Sequence, residues 1–376
     1  MKICTKCILP ETQAHIKFDK NGVCDLCKQI ERKHSVNWVE RQNILEKIFD
    51  EYRGKGKYDC LLPYSGGKDS TFQAYTLVKR FGMNPLVYTF NHTFLTGTGM
   101  YNLFNGTQKL NLEHIIYTPN KEVVRKLMLL ALKKYGDWCW FCHSGIFGST
   151  MQIAIKYDIP LIIWGESSAE YSTVRTFDDF KEVDSQFFKE LVQSNINYKY
   201  FIGKLGLTEN DLKPFKFPTE EEIKKLQPRS FHLGNYIKWD TVKQVELIKQ
   251  KFDWRDSKVE GSYVTYDKQE CRFVGVRDYC KYLKRGFGRT AHLVGIAIRE
   301  GKITRQEALK LEKKFDGKRP ATLDVFLNEI SISEEEFMRI MKNHVVDPWK
   351  PVEYKDRPEK GPYIKNTNDP LILLKS

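Results

Sequence analysis

Between Asp59 and Trp164 the chain alternates short apolar runs with amphipathic stretches. Cys60-Leu61-Leu62-Pro63-Tyr64 reads as a buried strand, Pro85 to Phe90 as a second, Glu113 to Thr118 as a third and Pro160 to Trp164 as a fourth. Phe231 to Ile237 makes a weaker fifth. Helical periodicity fills the gaps over Thr71 to Phe81, Thr98 to Leu110, Lys121 to Tyr135 and Gly145 to Tyr157. Apolar strands separated by helices predict an α/β fold, with a parallel sheet covered on both faces and ligands at the carboxyl ends of its strands. Farther on, Thr219 with Glu222 and Thr304 with Glu307 have capping-box spacing, and Ser333 precedes three glutamates, so three helices are expected to start there.

These patterns divide the chain into a cysteine-bearing unit at 1–34 and a helical linker at 35–57. A nucleotide-binding α/β domain follows at 58–250, then a helical region at 251–349 that presents a substrate or partner face. The last stretch, 350–376, contains Pro351, Pro358, Pro362 and Pro370 and reads as an extended tail. At 376 residues the chain is long enough for roughly two to three domains of about 150 residues. No apolar run approaches the roughly 18 residues of a spanning helix, and Met1-Lys2-Ile3-Cys4 has no signal-peptide core. A cytoplasmic protein without a membrane partner is expected. The net charge of +13 asks for an anionic partner and does not specify which.

Cysteine usage narrows the chemistry. Nine cysteines without an export signal are expected as thiols, so clusters point to metal or catalysis. Cys4 with Cys7, and Cys24 with Cys27, form two CxxC knuckles separated by a turn at Asn21-Gly22. Four thiolates at that spacing suit tetrahedral Zn2+ and make 1–34 a zinc ribbon, whose folding energy comes mostly from the metal. A third CxxC, Cys139-Trp140-Phe141-Cys142, has Cys271 and Cys280 as distant partners. It is read either as thiols packed among aromatic residues or as a second metal or iron–sulfur site. Cys60, in an apolar run, belongs to the core.

After the first strand comes Ser65-Gly66-Gly67-Lys68-Asp69-Ser70. Two glycines let backbone N–H groups approach a phosphate, and the following helix presents its N-terminus. Ser65 and Ser70 add hydroxyls, Lys68 a charge, and Asp69 a carboxylate for Mg2+. The segment lacks Walker A spacing and GxGxxG spacing alike.

This hexapeptide resembles the SGGxDS signature of the PP-loop ATP pyrophosphatases. Other features widen the resemblance to nearly the whole chain: the ribbon, Cys139-Trp140-Phe141-Cys142-His143, Gly165-Glu166-Ser167, Gly234-Asn235-Tyr236-Ile237-Lys238-Trp239 and Lys284-Arg285-Gly286-Phe287-Gly288-Arg289. Together they are similar to the N-acetyl sugar amidotransferases of bacterial surface-glycan (LPS O-antigen) synthesis, the WbpG and PseA type. The resemblance implies an adenine nucleotide alpha hydrolase-like fold. It implies ATP held by Ser65 to Ser70 with Phe90, Asn91 and Gly165, and catalytic roles for Lys68, Asp69 and Glu166. The implied reaction turns a sugar acetamido group into acetamidino: the amide oxygen attacks ATP, and ammonia displaces AMP. The substrate would be an acidic or nucleotide-linked sugar, with no nucleic acid partner.

Ammonia needs a source. No cysteine follows Met1 and none sits in a GxCxG elbow, so a separate glutaminase is expected; the resemblance implies that it is HisH-like and works with a HisF-like ammonia-channelling subunit, both of the imidazole-glycerol-phosphate-synthase type.

Several residues carry two readings. His92 is an adenosine contact or a core residue. Glu166 and Glu170 bind Mg2+, orient the amide, or simply cap a helix. Lys284, Arg285 and Arg289, around Gly286 and Gly288, form a flexible phosphate clamp or a solvated basic turn, and His292 joins either. Two rival functions stand beside the amidotransferase: a PP-loop tRNA thiolation enzyme, which also combines a zinc ribbon with a CxxC cluster, and a nucleic-acid binding module.

Overall fold

A computed structural model describes residues 1–166, 183–193 and 195–350. Ser167, Glu170 and the proline-rich tail after Lys350 lie outside the described residues. Five strands, β1 (Cys60–Pro63), β2 (Pro85–Phe90), β3 (His114–Tyr117), β4 (Leu161–Trp164) and β5 (Arg229–His232), form one parallel sheet in the order β3-β2-β1-β4-β5. The chain builds outward from β1 to β3, then crosses back to lay β4 against the other side of β1. That reversal opens a crevice at the carboxyl ends of β1 and β4, where a ligand of such a sheet binds.

The central strands β1, β2 and β4 are buried on both faces, which is why their sequences are mostly apolar instead of alternating. Leu61, Leu86, Tyr88, Phe90, Ile162 and Trp164 project into one core. Cys60, Leu62, Val87, Leu161, Ile163 and Phe231 project into the other, so Cys60 is a core residue as expected. The fifth strand differs from its expected place. It runs over Arg229–His232, and a 3-10 turn at Leu233–Asn235 replaces the second half of the apolar run. Gly234 donates its N–H to the Gly165 carbonyl at 3.0 Å, which bends the chain around the end of β4.

Helices α1 (Asp25–Ser35) and α2 (Trp38–Tyr52) precede the sheet. Leu45, Ile48 and Phe49 of α2 are buried against the β1 core. Helix α3 (Lys68–Tyr75) runs on into a π-helical turn at Thr76–Arg80. Helices α4 (Gly97–Lys109) and α5 (Lys121–Tyr135) lie where the periodicity puts them. Helix α6 (Trp140–Lys156) starts five residues earlier than Gly145, so the third CxxC opens a helix instead of preceding one. A single turn, α7 (Ser185–Phe187), and α8 (Glu220–Leu226) lead into β5, and Thr219 makes its capping box.

Helix α9 (Thr241–Phe252) follows, then α10 (Val274–Arg285), α11 (Arg289–Arg299), α12 (Arg305–Phe315), α13 (Thr322–Glu329) and α14 (Glu334–Lys342). Thr304 closes a capping box and Ser333 caps α14, as their spacing predicts. Phe273, Phe326 and Phe337 pack with Trp138 into the α5–α6 side of the sheet core. The segment 284–289 is a correction to the sequence reading. Lys284 and Arg285 are the last turn of α10, Gly286 is its left-handed cap, and Arg289 begins α11. No flexible cationic loop exists there.

The ribbon gathers Cys4, Cys7, Cys24 and Cys27, all fully buried, with Sγ atoms 3.9 Å (Cys4–Cys27) and 3.7 Å (Cys7–Cys24) apart. Backbone N–H groups of Cys7 and Cys24 donate to the Cys4 sulfur, which suits a thiolate. The four side chains fit one tetrahedral ion at Zn–S distances of about 2.3 Å. Ile8, Leu9 and Leu26 of this unit pack on Phe287, Ala291, Val294 and Ala308, so the ribbon rests on α11 and α12. Among the described residues no helix is long and apolar enough to cross a membrane. A metal held by these four cysteines would supply much of the order of residues 1–28, so chelation should make their amides exchange fast while β1, β2 and β4 stay protected. Hydrogen exchange with and without chelator reads this, and unchanged protection of residues 1–28 would refute it.

Candidate active site

The loop Ser65–Ser70 lies at the carboxyl end of β1. Gly66 has φ of +74°, and a Cβ there would come within 2.6 Å of the Leu103 backbone nitrogen, so only glycine fits. Ser70 Oγ accepts from Ser65 N–H at 3.2 Å, and Ser65 Oγ accepts from Gly67 N–H at 3.2 Å. Trp254 Nε1 donates to the Gly66 carbonyl at 2.9 Å. The loop is therefore braced before any ligand arrives, with the N-terminus of α3 directly behind it.

Lys68 is buried, and its Nζ lies 2.6 Å from Asp69 Oδ2 and 3.4 Å from Asp267 Oδ1. Asp267 in turn pairs with Arg289, and Arg289 holds Asp278 by Nε–Oδ2 at 2.6 Å and Nη2–Oδ1 at 3.2 Å. Burial opposes the Lys68 charge, but Asp69, Asp267 and Glu166 outweigh it and hold its pKa well above the usual value. Burial likewise opposes charge on Asp267, and Arg289 and Lys68 overcome it, leaving the carboxyl far below its ordinary range. Asp69 Oδ1 is buried and has no hydrogen-bond partner. Glu166 follows β4 across the same crevice, and Gly165 keeps that turn close: a Cβ there would lie 3.7 Å from Asp69 Cβ. An orphaned carboxylate oxygen near a second carboxylate suits Mg2+.

A cavity of about 330 Å³ opens from this loop. Phe90, His92, Phe147 and Trp164 contribute its aromatic wall, with Phe147 and Trp164 stacked at 4.1 Å. His92 is buried and its Nδ1 accepts from Phe94 N–H at 3.2 Å; burial lowers its pKa to about 4. Asn91 does not line this cavity. Strand alternation turns it away from Phe90 and His92, and its carboxamide is satisfied by Thr118 and by Thr93 N–H.

Cys139, Cys142 and Cys271 line the same cavity. Asp137 Oδ1 accepts from Cys139 N–H at 2.8 Å and anchors the start of α6, with Arg277 3.5 Å from Asp137 Oδ2. An antiparallel bridge between Leu95 and Cys271 brings the distant cysteine to the loop after β2. Burial pushes the Cys142 and Cys271 thiols up to about 12, and Cys139 well above its usual value. Burial next to Arg277 lowers His143 to about 3, so its imidazole is neutral.

Two basic residues leave their expected roles. Arg285 does not line the cavity; it hydrogen-bonds the Thr12 carbonyl, while Thr12 Oγ1 donates to the Arg285 carbonyl at 2.5 Å, which docks the ribbon. Arg289 does line it, but both its acidic partners are protein carboxylates, so it orders the loop's lysine instead of clamping phosphate. His292 is half-buried on α11 and does not line the cavity. The motif Gly234–Trp239 is a buttress: Trp239 packs edge-on against Phe72 of α3 at 5.3 Å. Asp267 and Glu270, whose Oε2 would lie 3.3 Å from a Cβ at Gly67, carry no local motif, and nothing in their sequence neighbourhood marks them.

Two outcomes follow. Asp267→Ala leaves Lys68 and Arg289 short of a buried partner and should cost about 3 kcal/mol in urea unfolding; a loss under about 1 kcal/mol would show that the chain of charges is not structural. For His92 the native pKa, about 4, lies below the unfolded 6.5. The unfolded chain therefore binds the extra proton first, and stability is lost as pH falls from 6.5 toward 4, by at most about 1.4 kcal/mol per pH unit for this one group. His92→Gln should shallow that slope between pH 6.5 and 4, and an unchanged slope would refute the assignment.

Residues 260–360 match the family model described as LPS biosynthesis protein WbpG-like, C-terminal domain. An uncharacterized protein of Methanocaldococcus jannaschii is 24% identical over 314 residues, 82% of this chain and 93% of that protein. Among solved structures, the U34-tRNA thiolase NcsA of Methanococcus maripaludis with its [4Fe-4S] cluster aligns over 94% of this chain and 99% of its own, at 15% identity and a TM-score of 0.32. NMN synthetase of Francisella tularensis aligns over 58% of this chain and 94% of its own, at 15% identity and a TM-score of 0.28.

Proposed function

We propose that this chain, with a WbpG-like domain at its C-terminal end, is an ATP-dependent enzyme that activates an amide oxygen by adenylation. One observation carries the reading: the Ser65–Ser70 loop and residues 267–289 of the WbpG-like part meet in one cavity, joined through Lys68 and Asp267. The amide oxygen of a sugar acetamido group attacks the α-phosphorus of ATP, and pyrophosphate leaves into the loop. Ammonia then adds to the activated carbon, AMP departs with the former amide oxygen, and loss of a proton leaves the acetamidino group. Lys68 offsets charge on the leaving pyrophosphate. Mg2+, held by Asp69 and Glu166, supplies further charge neutralisation when bound. Phe90 and the Phe147–Trp164 stack offer faces for adenine. The substrate is an acidic or nucleotide-linked sugar of surface-glycan synthesis, and ammonia comes from a separate glutaminase with its channelling subunit.

The three cavity cysteines favour a second reading, in which sulfur is the nucleophile and a tRNA base the acceptor. A single assay separates them. ATP is supplied with ammonium and a diacetamido sugar nucleotide in one arm, and with sulfide and tRNA in the other. AMP formation with an acceptor lightened by the difference between O and NH supports the amidotransferase; thiolated tRNA as the sole product replaces it. Lys68→Met should lower AMP formation roughly a hundredfold in the productive arm. An unaltered rate would remove the loop from the chemistry.

A further inference from the structure

Residues 196–217 run between α7 and α8, and their inner side packs behind the cavity wall. Trp140 Nε1 donates to the Ile196 carbonyl at 2.9 Å, Phe201 packs on Trp140 at 4.4 Å, and Phe215 meets Phe90 at 6.1 Å. The outer side has no part in the proposed function. There the stretch Phe201 to Leu207 buries its two ends and displays Ile202 and Leu205, which are 39% and 51% exposed. We propose that this loop docks on an anionic phospholipid surface, with Ile202 and Leu205 entering the headgroup region and the lysines around them meeting lipid phosphates.

The backbone holds both side chains outward. Gly203 N–H donates to the Leu207 carbonyl at 2.8 Å, and Leu207 N–H donates to the Lys204 carbonyl at 3.0 Å, which closes the loop on itself. Leu205 has φ of +50°, a left-handed conformation that a leucine adopts only at a cost. A Cβ added at Gly203 or Gly206 would meet nothing within 4 Å among the described residues, so the tip stands clear of them. Apolar side chains exposed singly are ordinary on a protein surface. Two on one strained tip are not accounted for by packing.

The charge around the tip is one-sided. Lys126 and Lys134 lie two turns apart on one face of α5. Lys199, Lys204, Lys213 and Lys216 come from the segment itself. Lys134 and Lys204 reach the Tyr200 ring, with Nζ 5.1 and 4.0 Å from its centre, and Lys216 Nζ lies 4.6 Å from the Tyr198 centre. Against them stand Glu209, which pairs with Lys216 at 2.6 Å, and Asp211, whose Oδ2 accepts from Thr208 N–H at 2.8 Å. Lys216, with Lys199 and Lys213 farther off, holds the Glu209 carboxyl below its usual range; Thr208, with Lys126 farther off, does the same for Asp211. Two carboxylates against six lysines leave the surface cationic.

Nucleic acid would also take the charge. Yet ammonium groups sit over the Tyr198 and Tyr200 rings, and the tip offers aliphatic side chains, which give bases no stacking platform. An apolar tip inside a lysine rim suits a lipid interface, where apolar insertion and attraction to anionic headgroups are each weak alone and hold together. Docking of this kind needs no spanning helix, departs from the expectation of no membrane partner, and does not rest on the proposed function.

Vesicle binding by the full chain reads it. The protein is mixed with sedimentable vesicles of phosphatidylcholine alone, or of phosphatidylcholine and phosphatidylglycerol in equal parts, and the bound fraction is measured after centrifugation. Binding to the mixed vesicles alone is expected, weakened roughly tenfold or more as salt rises from about 0.1 M to about 1 M. Lys199→Gln, Lys204→Gln and Lys213→Gln together should weaken it roughly a hundredfold. Ile202→Ser with Leu205→Asn keeps every charge, puts a residue tolerant of left-handed backbone at 205, and should weaken it roughly tenfold. An unaltered far-UV circular dichroism spectrum shows that neither loss is one of folding. No binding to the mixed vesicles, equal binding to phosphatidylcholine, or undiminished binding by the Ile202→Ser, Leu205→Asn protein overturns the proposal. The same proteins are titrated with tRNA; tighter binding there, weakened by the lysine changes and not by the tip changes, also overturns it and assigns the patch to nucleic acid.

Discussion

A run of buried charges, Lys68 to Asp267 to Arg289 to Asp278, is the interaction on which the site depends. Each member is nearly out of water, so each needs its neighbour: an isolated buried charge costs several kcal/mol. The run begins in the loop after β1 and ends on α10. It ties the C-terminal helices to the loop, and it fixes the Lys68 ammonium beside the anion cradle. Removal of any link leaves a charge stranded in low dielectric, so the loop and the helices are ordered together.

The sheet supplies the other half of the arrangement. Its order, β3-β2-β1-β4-β5, brings the ends of β1 and β4 side by side and places Asp69 opposite Glu166. The aromatic wall follows from the same strands, because alternation sends Phe90 and Trp164 to one face. The alternation also explains why Asn91, adjacent in sequence, is absent from the wall. The ribbon, whose four cysteines could hold a metal, rests on α11 and α12, and the Arg285–Thr12 hydrogen bonds bind it to the helix carrying Asp278.

Much of this was legible in the chain. The apolar runs mark four of the five strands to within a residue at each end, since strands buried on both faces, as β1, β2 and β4 are, carry few polar positions to blur them. Capping boxes at Thr219 and Thr304 mark helix starts because their hydrogen bonds are local. The ribbon knuckles and Ser65–Ser70 are local too, and their chemistry is visible at fixed spacing. Errors fell where a local pattern had more than one reading. The Lys284–Arg289 stretch looks like a glycine-rich basic loop, yet Gly286 is a left-handed cap and Gly288 an N-cap, each terminating a helix.

What the sequence by itself determined is the set of elements, the two cysteine knuckles and the anion-binding loop, because each depends on residues a few positions apart. Only the tertiary structure decided that Asp267 holds Lys68, that Arg289 serves carboxylates, that Arg285 serves the ribbon, and that Cys271 and not Cys280 joins Cys139 and Cys142. Those partners are separated by more than a hundred residues of chain, or are chosen among equivalent charges by burial alone. Electrostatics in a desolvated crevice depends on distance in space, and no spacing along the chain encodes it.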